Sequence, residues 1–192
     1  KRQRKGLTLH QAVKKMRQRT YFGAMMVELG QADAFISGQN SNYPDTIRPA
    51  LEIIGKTDGV TKVAGMYIIM SKQGPLFFAD TTVNIAPTSD ELVDIVKLAY
   101  RMVTNLQIKP RIAMLSYSNF GSAKGTTPSN IRTALAKLNR ENPEILVDGE
   151  MQANTALNAD LRQELFPFSK LGNENANVFI FPDLNSGNIA YK

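Results

Sequence analysis

The 192-residue chain has no cysteine and no tryptophan, and its one histidine is His10. Without cysteine there is no disulfide scaffold, zinc finger, iron–sulfur cluster or thiol nucleophile. A single histidine speaks against a His-rich metal site and a His-based triad, and no metal site is expected. No apolar run reaches the ~18–20 residues of a membrane span. Nor does a signal-peptide-type apolar stretch follow the basic N-terminus. With 43% hydrophobic and 21% charged residues, the composition is that of a globular, cytoplasmic domain with no membrane partner. The length suits one domain, or one and a fraction.

The net charge of +6 is unevenly placed. Residues 1–19 carry eight bases (Lys1, Arg2, Arg4, Lys5, Lys14, Lys15, Arg17, Arg19) and no acid; the rest has 15 bases against 17 acids. A basic terminal segment can bind phosphate-rich partners, but it equally serves as a tether or a solvated helix face. No aromatic–basic interleaving of an RNA module follows it, so nucleic acid is not an expected partner.

Along the chain, helical and strand patterns alternate. Thr8 with Gln11 and Thr88 with Glu91 read as capping boxes. The second opens a helix to about Leu106, with Leu92, Ile95, Val96, Ala99, Val103 and Leu106 on one stripe. Helices are also predicted over Tyr21–Leu29, from Asp45 to Ile54, from Thr127-Pro128 to Arg140 and over Ala153–Leu165. Short apolar runs predict buried strands at Ala34–Ile36, Ile112–Leu115, Ile145–Val147 and Val178–Phe181. Lys62–Met70 and Leu76–Asp80 read as a hairpin across Lys72–Pro75. A helix begins near Asn185, and the sequence reads as a fragment of a longer protein. The expected fold is α/β: three-layer α/β/α, a mixed, mainly parallel sheet with an antiparallel hairpin. The expected organisation is a basic helical lead-in over 1–30, an α/β lobe over 31–184 and the start of a C-terminal helix over 185–192.

In such sheets ligands bind beyond the C-terminal strand ends. That rule singles out Ser37–Asn40, Asp80, Ser116–Asn119, Asp148–Glu150 and Asp183, each of which could also be a turn former or cap. The stretch Ser116-Tyr-Ser-Asn-Phe-Gly-Ser-Ala-Lys-Gly125 joins a buried strand to a helix and offers N–H groups, hydroxyls and the Lys124 ammonium. That chemistry suits a phosphate or pyrophosphate, although it matches neither a Walker motif nor GxGxxG. Ser116, Ser118, Asn119, Ser122 and Lys124 are therefore ligand candidates. Arg48 is another anion candidate, or simply an ion-pair partner of Asp45 or Glu52. No catalytic residue is nominated.

Ordered segments resemble the phosphate acetyl/butyryl transferase family: Tyr21-Phe-Gly-Ala-Met-Met-Val, Ala32-Asp-Ala-Phe-Ile-Ser-Gly38, Asp45-Thr-Ile-Arg-Pro-Ala-Leu51, Phe78-Ala-Asp80, Ala113-Met-Leu-Ser-Tyr-Ser118, Gly121-Ser-Ala123, Asp148-Gly-Glu150, Ile180-Phe-Pro-Asp-Leu184, Gly187-Asn-Ile189 and Tyr191-Lys192. The resemblance covers about residues 8–192. It implies a two-lobed fold related to isocitrate dehydrogenase, a CoA-type ligand in the interlobe cleft, and a homodimer formed through this lobe. It adds Lys192, expected near the CoA phosphates, to the ligand candidates, among which the strand-end rule already places Asp148 and Asp183.

Two departures shape the functional expectation. Simple phosphotransacetylases carry a His-Ser-Thr-like stretch where this chain has Asn40-Ser-Asn-Tyr-Pro44. The run Asn42–Leu51, with Ser116–Gly121 and Asp148–Asn154, is instead similar to the C-terminal domain of hybrid NADP-dependent malic enzymes. The family's catalytic Ser-Arg pair would fall beyond Lys192. The resemblance thus implies a non-catalytic regulatory and oligomerisation domain with acetyl-CoA as effector. The parent enzyme would convert malate to pyruvate and CO2 with NADP and Mg2+ or Mn2+. The alternative is a phosphate acetyltransferase joining acetyl phosphate and CoA.

Overall fold

The computed structural model describes residues 2–56, 60 and 62–192, leaving Lys1 outside the described residues. The chain divides into two compact units, 1–59 and 60–192, and the boundary expected after residue 30 falls inside the first.

The first unit is helical. After a short 3-10 turn come α1 (Leu9–Met16), α2 (Arg19–Glu28) and α3 (Tyr43–Ile53). The capping box of α1 forms: Thr8 Oγ1 accepts from the Gln11 N–H, and Gln11 Oε1 accepts from the Thr8 N–H. Tyr21, Ala24 and Ile53 make a small core. His10 is exposed on α1.

Two expectations fail in this unit. Ala34–Ile36 forms no strand, and Ile36 is 96% exposed. Three apolar residues cannot define a strand without a neighbour to pair with, and the Phe35 ring packs on Gly23 of α2 instead, where a Cβ would lie 2.4 Å from it. Helix α3 begins at Tyr43, before Asp45. Pro44 occupies its first turn, where a missing N–H costs nothing, and Pro49 lies buried farther along.

The second unit holds β1 (Met66–Ser71), β2 (Gly74–Ala79), α4 (Ser89–Asn105), β3 (Ile112–Leu115), α5 (Thr126–Glu141), β4 (Val147–Met151), α6 (Ala153–Leu157), α7 (Ala159–Leu165), β5 (Val178–Ile180) and α8 (Leu184–Tyr191). The five strands form one sheet in the order β1-β2-β5-β3-β4. Only β1 and β2 pair antiparallel; β2, β5, β3 and β4 run parallel. This is the expected mixed α/β architecture.

Alternation along the strands explains how both faces are covered. Phe77, Ile112, Met114, Val178 and Ile180 point to one face and pack with Leu92, Ile95, Val96 and Ala99 of α4 and Ile131, Ala134 and Leu138 of α5. Ala113, Leu115, Phe179 and Phe181 point to the other and pack with Ala156 of α6 and with Leu171 and Ala176. All four β3 residues are buried, which is why that run reads as continuously apolar. Each large side chain so buried contributes roughly 1.5–3 kcal/mol.

Two further boundaries differ from expectation. The strand expected at Ile145–Val147 runs over Val147–Met151. The helix expected over Ala153–Leu165 breaks at Asn158, whose extended backbone (φ −127°, ψ 99°) ends α6 while its side chain accepts the Leu161 N–H and caps α7. Among the described residues, no helix is long and apolar enough to cross a membrane.

Candidate functional site

Because β2, β5 and β3 are parallel neighbours, the segments leaving their C-terminal ends lie along one edge of the sheet. A crevice of about 290 Å3 opens there. Ala86, Pro87, Thr88 and Leu92 line it from the start of α4, Thr126, Thr127, Asn130 and Ile131 from the start of α5, and Pro182 and Asp183 from the segment after β5.

Three helices begin around this crevice, and their N-termini are not equivalent. At α4 the Thr88 and Glu91 side chains exchange hydrogen bonds with each other's backbone N–H, and Asp90 and Glu91 occupy the first turn. At α8 the Asp183 carboxylate accepts the Ser186 N–H at 2.8 Å. At α5 the N-cap is Gly125, which offers no side-chain acceptor, and the first turn holds no acid. Its third residue, Pro128, has no N–H. The remaining N–H groups of that turn and the helix dipole are therefore left for an anion from outside the helix. Lys124 stands immediately before it; its backbone carbonyl accepts from the Tyr117 hydroxyl at 3.3 Å, while its exposed ammonium makes no hydrogen bond or ion pair among the described residues.

The Ser116–Gly125 loop is stitched to β4 and the residues after it. Ser116 Oγ accepts the Ser118 N–H, and the Ser116 N–H reaches Met151 O. Ser118 is buried; its Oγ donates to Glu150 Oε1 at 2.8 Å and accepts the Ala123 N–H at 3.0 Å. Asn119 Oδ1 accepts the Gln152 N–H, while Ser122 Oγ accepts the Asn119 N–H. Phe120 and Gly121 take positive φ angles of 46° and 89°, which fold the loop back on itself. The serine and asparagine side chains are thus spent largely on the loop's own shape, and Lys124 is left as its exposed cation.

The other candidates lie in different settings. Asp148 sits within β4, not beyond it; Oδ2 accepts from Ser169 Oγ and the Lys170 N–H, both at 2.7 Å, and Oδ1 accepts from its neighbour's N–H. Its carboxylate is occupied in holding the segment before β5. Asp80 is buried, and its carboxylate accepts from the N–H groups of Gly65, Thr82, Val83 and Asn84 and from the Asn84 side chain. It organises the loop after β2. Lys192 is exposed, with its ammonium 5.9 Å from the Tyr191 ring centroid. Arg48 belongs to the first unit, where it is exposed and unpaired among the described residues; Glu52 pairs with Lys15 and Arg2 instead.

Thr88, Thr126, Thr127, Asn130 and Pro182 were not foreseen as crevice residues. Gly125 followed by Thr-Thr-Pro without an acid was the available signal for an open helix start. Among the described residues, no group of three or more His, Asp or Glu side chains could hold a metal ion.

The profile of the phosphate acetyl/butaryl transferase family matches residues 1–192. The phosphate acetyltransferase of Bacillus subtilis is 39% identical over 190 residues, covering 98% of this chain and 58% of that protein. The NAD-dependent malic enzyme of Rhizobium meliloti is 37% identical over 170 residues, covering 88% of this chain and 22% of that protein. A solved phosphotransacetylase from Streptococcus pyogenes superposes with a TM-score of 0.87 at 38% identity, over 98% of this chain and 58% of its own. The chain therefore spans little more than half of the phosphate acetyltransferase from Bacillus subtilis.

Proposed function

From a chain that belongs to the phosphate acetyl/butaryl transferase family, we propose a lobe that binds a CoA-type ligand at the crevice beyond β2, β5 and β3. The carrying observation is the uncapped, acid-free start of α5 with Lys124 before it. A phosphate placed there would receive N–H donors and a flexible ammonium. Ser116, Ser118, Asn119 and Ser122 hold the loop that presents those groups. Asp183 walls the crevice, while Lys192, in the same unit, is a further cation for a long polyanionic ligand.

The relatives favour acyl transfer over regulation. Phosphate acetyltransferases from several bacteria match at 35–39% identity over nearly all of this chain. In that reading the CoA thiolate attacks the acetyl carbonyl carbon of acetyl phosphate. The new carbon–sulfur bond replaces the carbon–oxygen bond to phosphate, which leaves with the electron pair. Cation and N–H donors around the phosphate would stabilise the charge that builds on it. The attacking base and acyl clamp would come from residues outside this chain.

A second reading, a regulatory and oligomerisation domain of a malic enzyme with acetyl-CoA as effector, has its own support. Asn40–Pro44 departs from the His-Ser-Thr-like stretch of simple transferases, and a stretch making up 22% of the Rhizobium malic enzyme is similar to 88% of this chain. NADP and the divalent metal would then belong to another module of the parent. A homodimer through this lobe belongs to both readings. The exposed Ile68 and Met70, on one face of edge strand β1, offer an apolar surface for it.

One assay pair separates the readings. The full-length protein is given acetyl phosphate and CoA, and thioester is followed; it is then given malate and NADP with and without acetyl-CoA. Thioester formation supports transfer, whereas an acetyl-CoA-dependent change in malate turnover supports regulation. Absence of both, with no CoA binding by calorimetry, overturns the proposal.

A further inference from the structure

We infer that Glu150 is a positioning residue that sets the anion-facing start of α5; this rests on the reading of the crevice given above. Glu150 lies on β4 and is fully buried. Its Oε1 accepts three hydrogen bonds: from Ser118 Oγ at 2.8 Å, the Gly121 N–H at 2.8 Å and Arg132 Nη1 at 2.9 Å. Its backbone carbonyl accepts a further bond, from the Phe120 N–H at 2.7 Å. The donors come from the beginning of the loop, its bend and the second turn of α5. One oxygen atom therefore fastens both sides of the Lys124–Thr127 turn to the sheet.

The rest of the carboxylate argues that placement is its role. Oε2 is buried and accepts no hydrogen bond among the described residues. A carboxylate desolvated with one oxygen unpartnered is a poor way to stabilise a fold, and an apolar side chain would fill the space without that cost. What an apolar residue could not do is gather a hydroxyl, an N–H and a guanidinium onto one point. Glu150 also neutralises Arg132, whose side chain is 43% exposed. Lys124 is then the cation left beside the open helix start.

The two roles of the carboxylate, acceptor and counter-charge, predict opposite effects when it is changed. Glu150→Gln keeps an acceptor for Ser118 and Gly121 but releases the charge of Arg132. Glu150→Ala releases that charge and abolishes the acceptor. If Glu150 acts only through charge, both variants bind anions more tightly than the wild type. If it positions, Glu150→Ala weakens binding by about tenfold, the scale of one or two charge-assisted hydrogen bonds, and Glu150→Gln restores most of it.

The test uses the full-length protein, with CoA and inorganic pyrophosphate as calorimetric probes, and amide hydrogen exchange of residues 117–130 without ligand. The expected result is faster exchange of that segment and weaker binding in Glu150→Ala, with both recovered in Glu150→Gln. Wild-type exchange in Glu150→Ala, or tighter binding in both variants, overturns the inference. Should Glu150→Ala not fold, Ser118→Ala is read in its place: unchanged exchange there overturns the inference, and faster exchange with weaker binding supports it. If the wild type binds neither probe, the functional reading fails, and exchange alone decides whether Glu150 positions the loop.

Discussion

The ring of Tyr67, on edge strand β1, stacks on the ring of Tyr191, in the last turn of α8, with 3.8 Å between centroids and 15° between planes. Asn188 of the same helix donates to Thr81 O, so α8 is held both by an aromatic face and by a backbone anchor. Aromatic pairs of this kind contribute about 0.5–1.5 kcal/mol beyond their buried area. Tyr67→Ala and Tyr191→Ala should each lower stability, and the double variant should lose less than their sum. Chemical denaturation of all four proteins measures the coupling; strict additivity would show that the stack contributes nothing.

Gly187 brings α8 against the loop after β2, where a Cβ at that position would lie 2.4 Å from Asp80 O. The obstacle is backbone, so the contact cannot be relieved by a side-chain rotation. Gly187→Ala is expected to destabilise by about 1–3 kcal/mol. It should also speed exchange of α8 amides well before global unfolding. An unchanged melting temperature would contradict the close approach.

Among the described residues Arg162 is the largest fully buried side chain, and it makes no ion pair with a carboxylate. Its Nη1 donates to Thr155 O and Ala156 O, and its Nη2 to Gly172 O and Glu174 O. Burial draws the guanidinium pKa down from its ordinary value, with the Asp148 charge pulling the other way. Arg162→Met strands four carbonyls together and should cost about 3–5 kcal/mol. Arg162→Lys should recover only part, because one ammonium cannot span the fork. Urea unfolding ranks the three proteins, and a Met variant as stable as wild type would refute the assignment.

In the first unit, Lys15 Nζ, Tyr21 OH and Glu52 Oε2 close a triangle of 2.7, 2.8 and 2.9 Å edges. The Lys15 hydrogen bond, against an opposing push from burial, holds the Glu52 carboxyl below its usual range, and Tyr21 and Arg2 assist. The same bond raises Lys15. A lowered carboxyl contributes stability that is complete above its unfolded value and lost as pH falls through the folded one; a raised amine contributes below its unfolded value and loses it as pH rises through the folded one. The triangle should therefore be intact through neutral pH. The stability gap between wild type and Glu52→Gln, followed by thermal melts from about pH 7 to about pH 3, should close in acid. A gap independent of pH would exclude the ion pair as its source.

Lys124→Ala should weaken CoA binding by about three- to tenfold, equivalent to one screened phosphate contact. Because the side chain is exposed and unpaired, folding stability should stay within about 0.5 kcal/mol of wild type. Calorimetric titration and a thermal melt check the two halves separately. Full affinity in the variant would remove Lys124 from the ligand site.

What the sequence disclosed followed the strength of local chemistry. Thr88 and Glu91 announced α4 because a capping box is a contact between near neighbours, and Ile112–Leu115 announced β3 because a strand buried on both faces has no polar residue to hide. Ala34–Ile36 misled because three apolar residues say nothing about whether a pairing partner exists. Asp148 misled because its neighbours in sequence suggested a strand end, while its hydrogen-bond partners Ser169 and Lys170 lie more than twenty residues away. The serines of the loop were recognisable as polar groups near a strand end. The commitment of Ser118 to Glu150 and of Asn119 to Gln152 depends on the pairing of β3 with β4, which no window along the chain contains.

Of the three helix starts around the crevice, two answer their own exposed N–H groups and one does not. A visiting molecule with a charged head and an uncharged tail would thus experience a one-sided pull on arrival, and its head-to-tail sense would be fixed before its tail is inspected. Recognition of the head can then stay unchanged while the walls around the tail diverge, which gives one scaffold room to accept ligands with different tails.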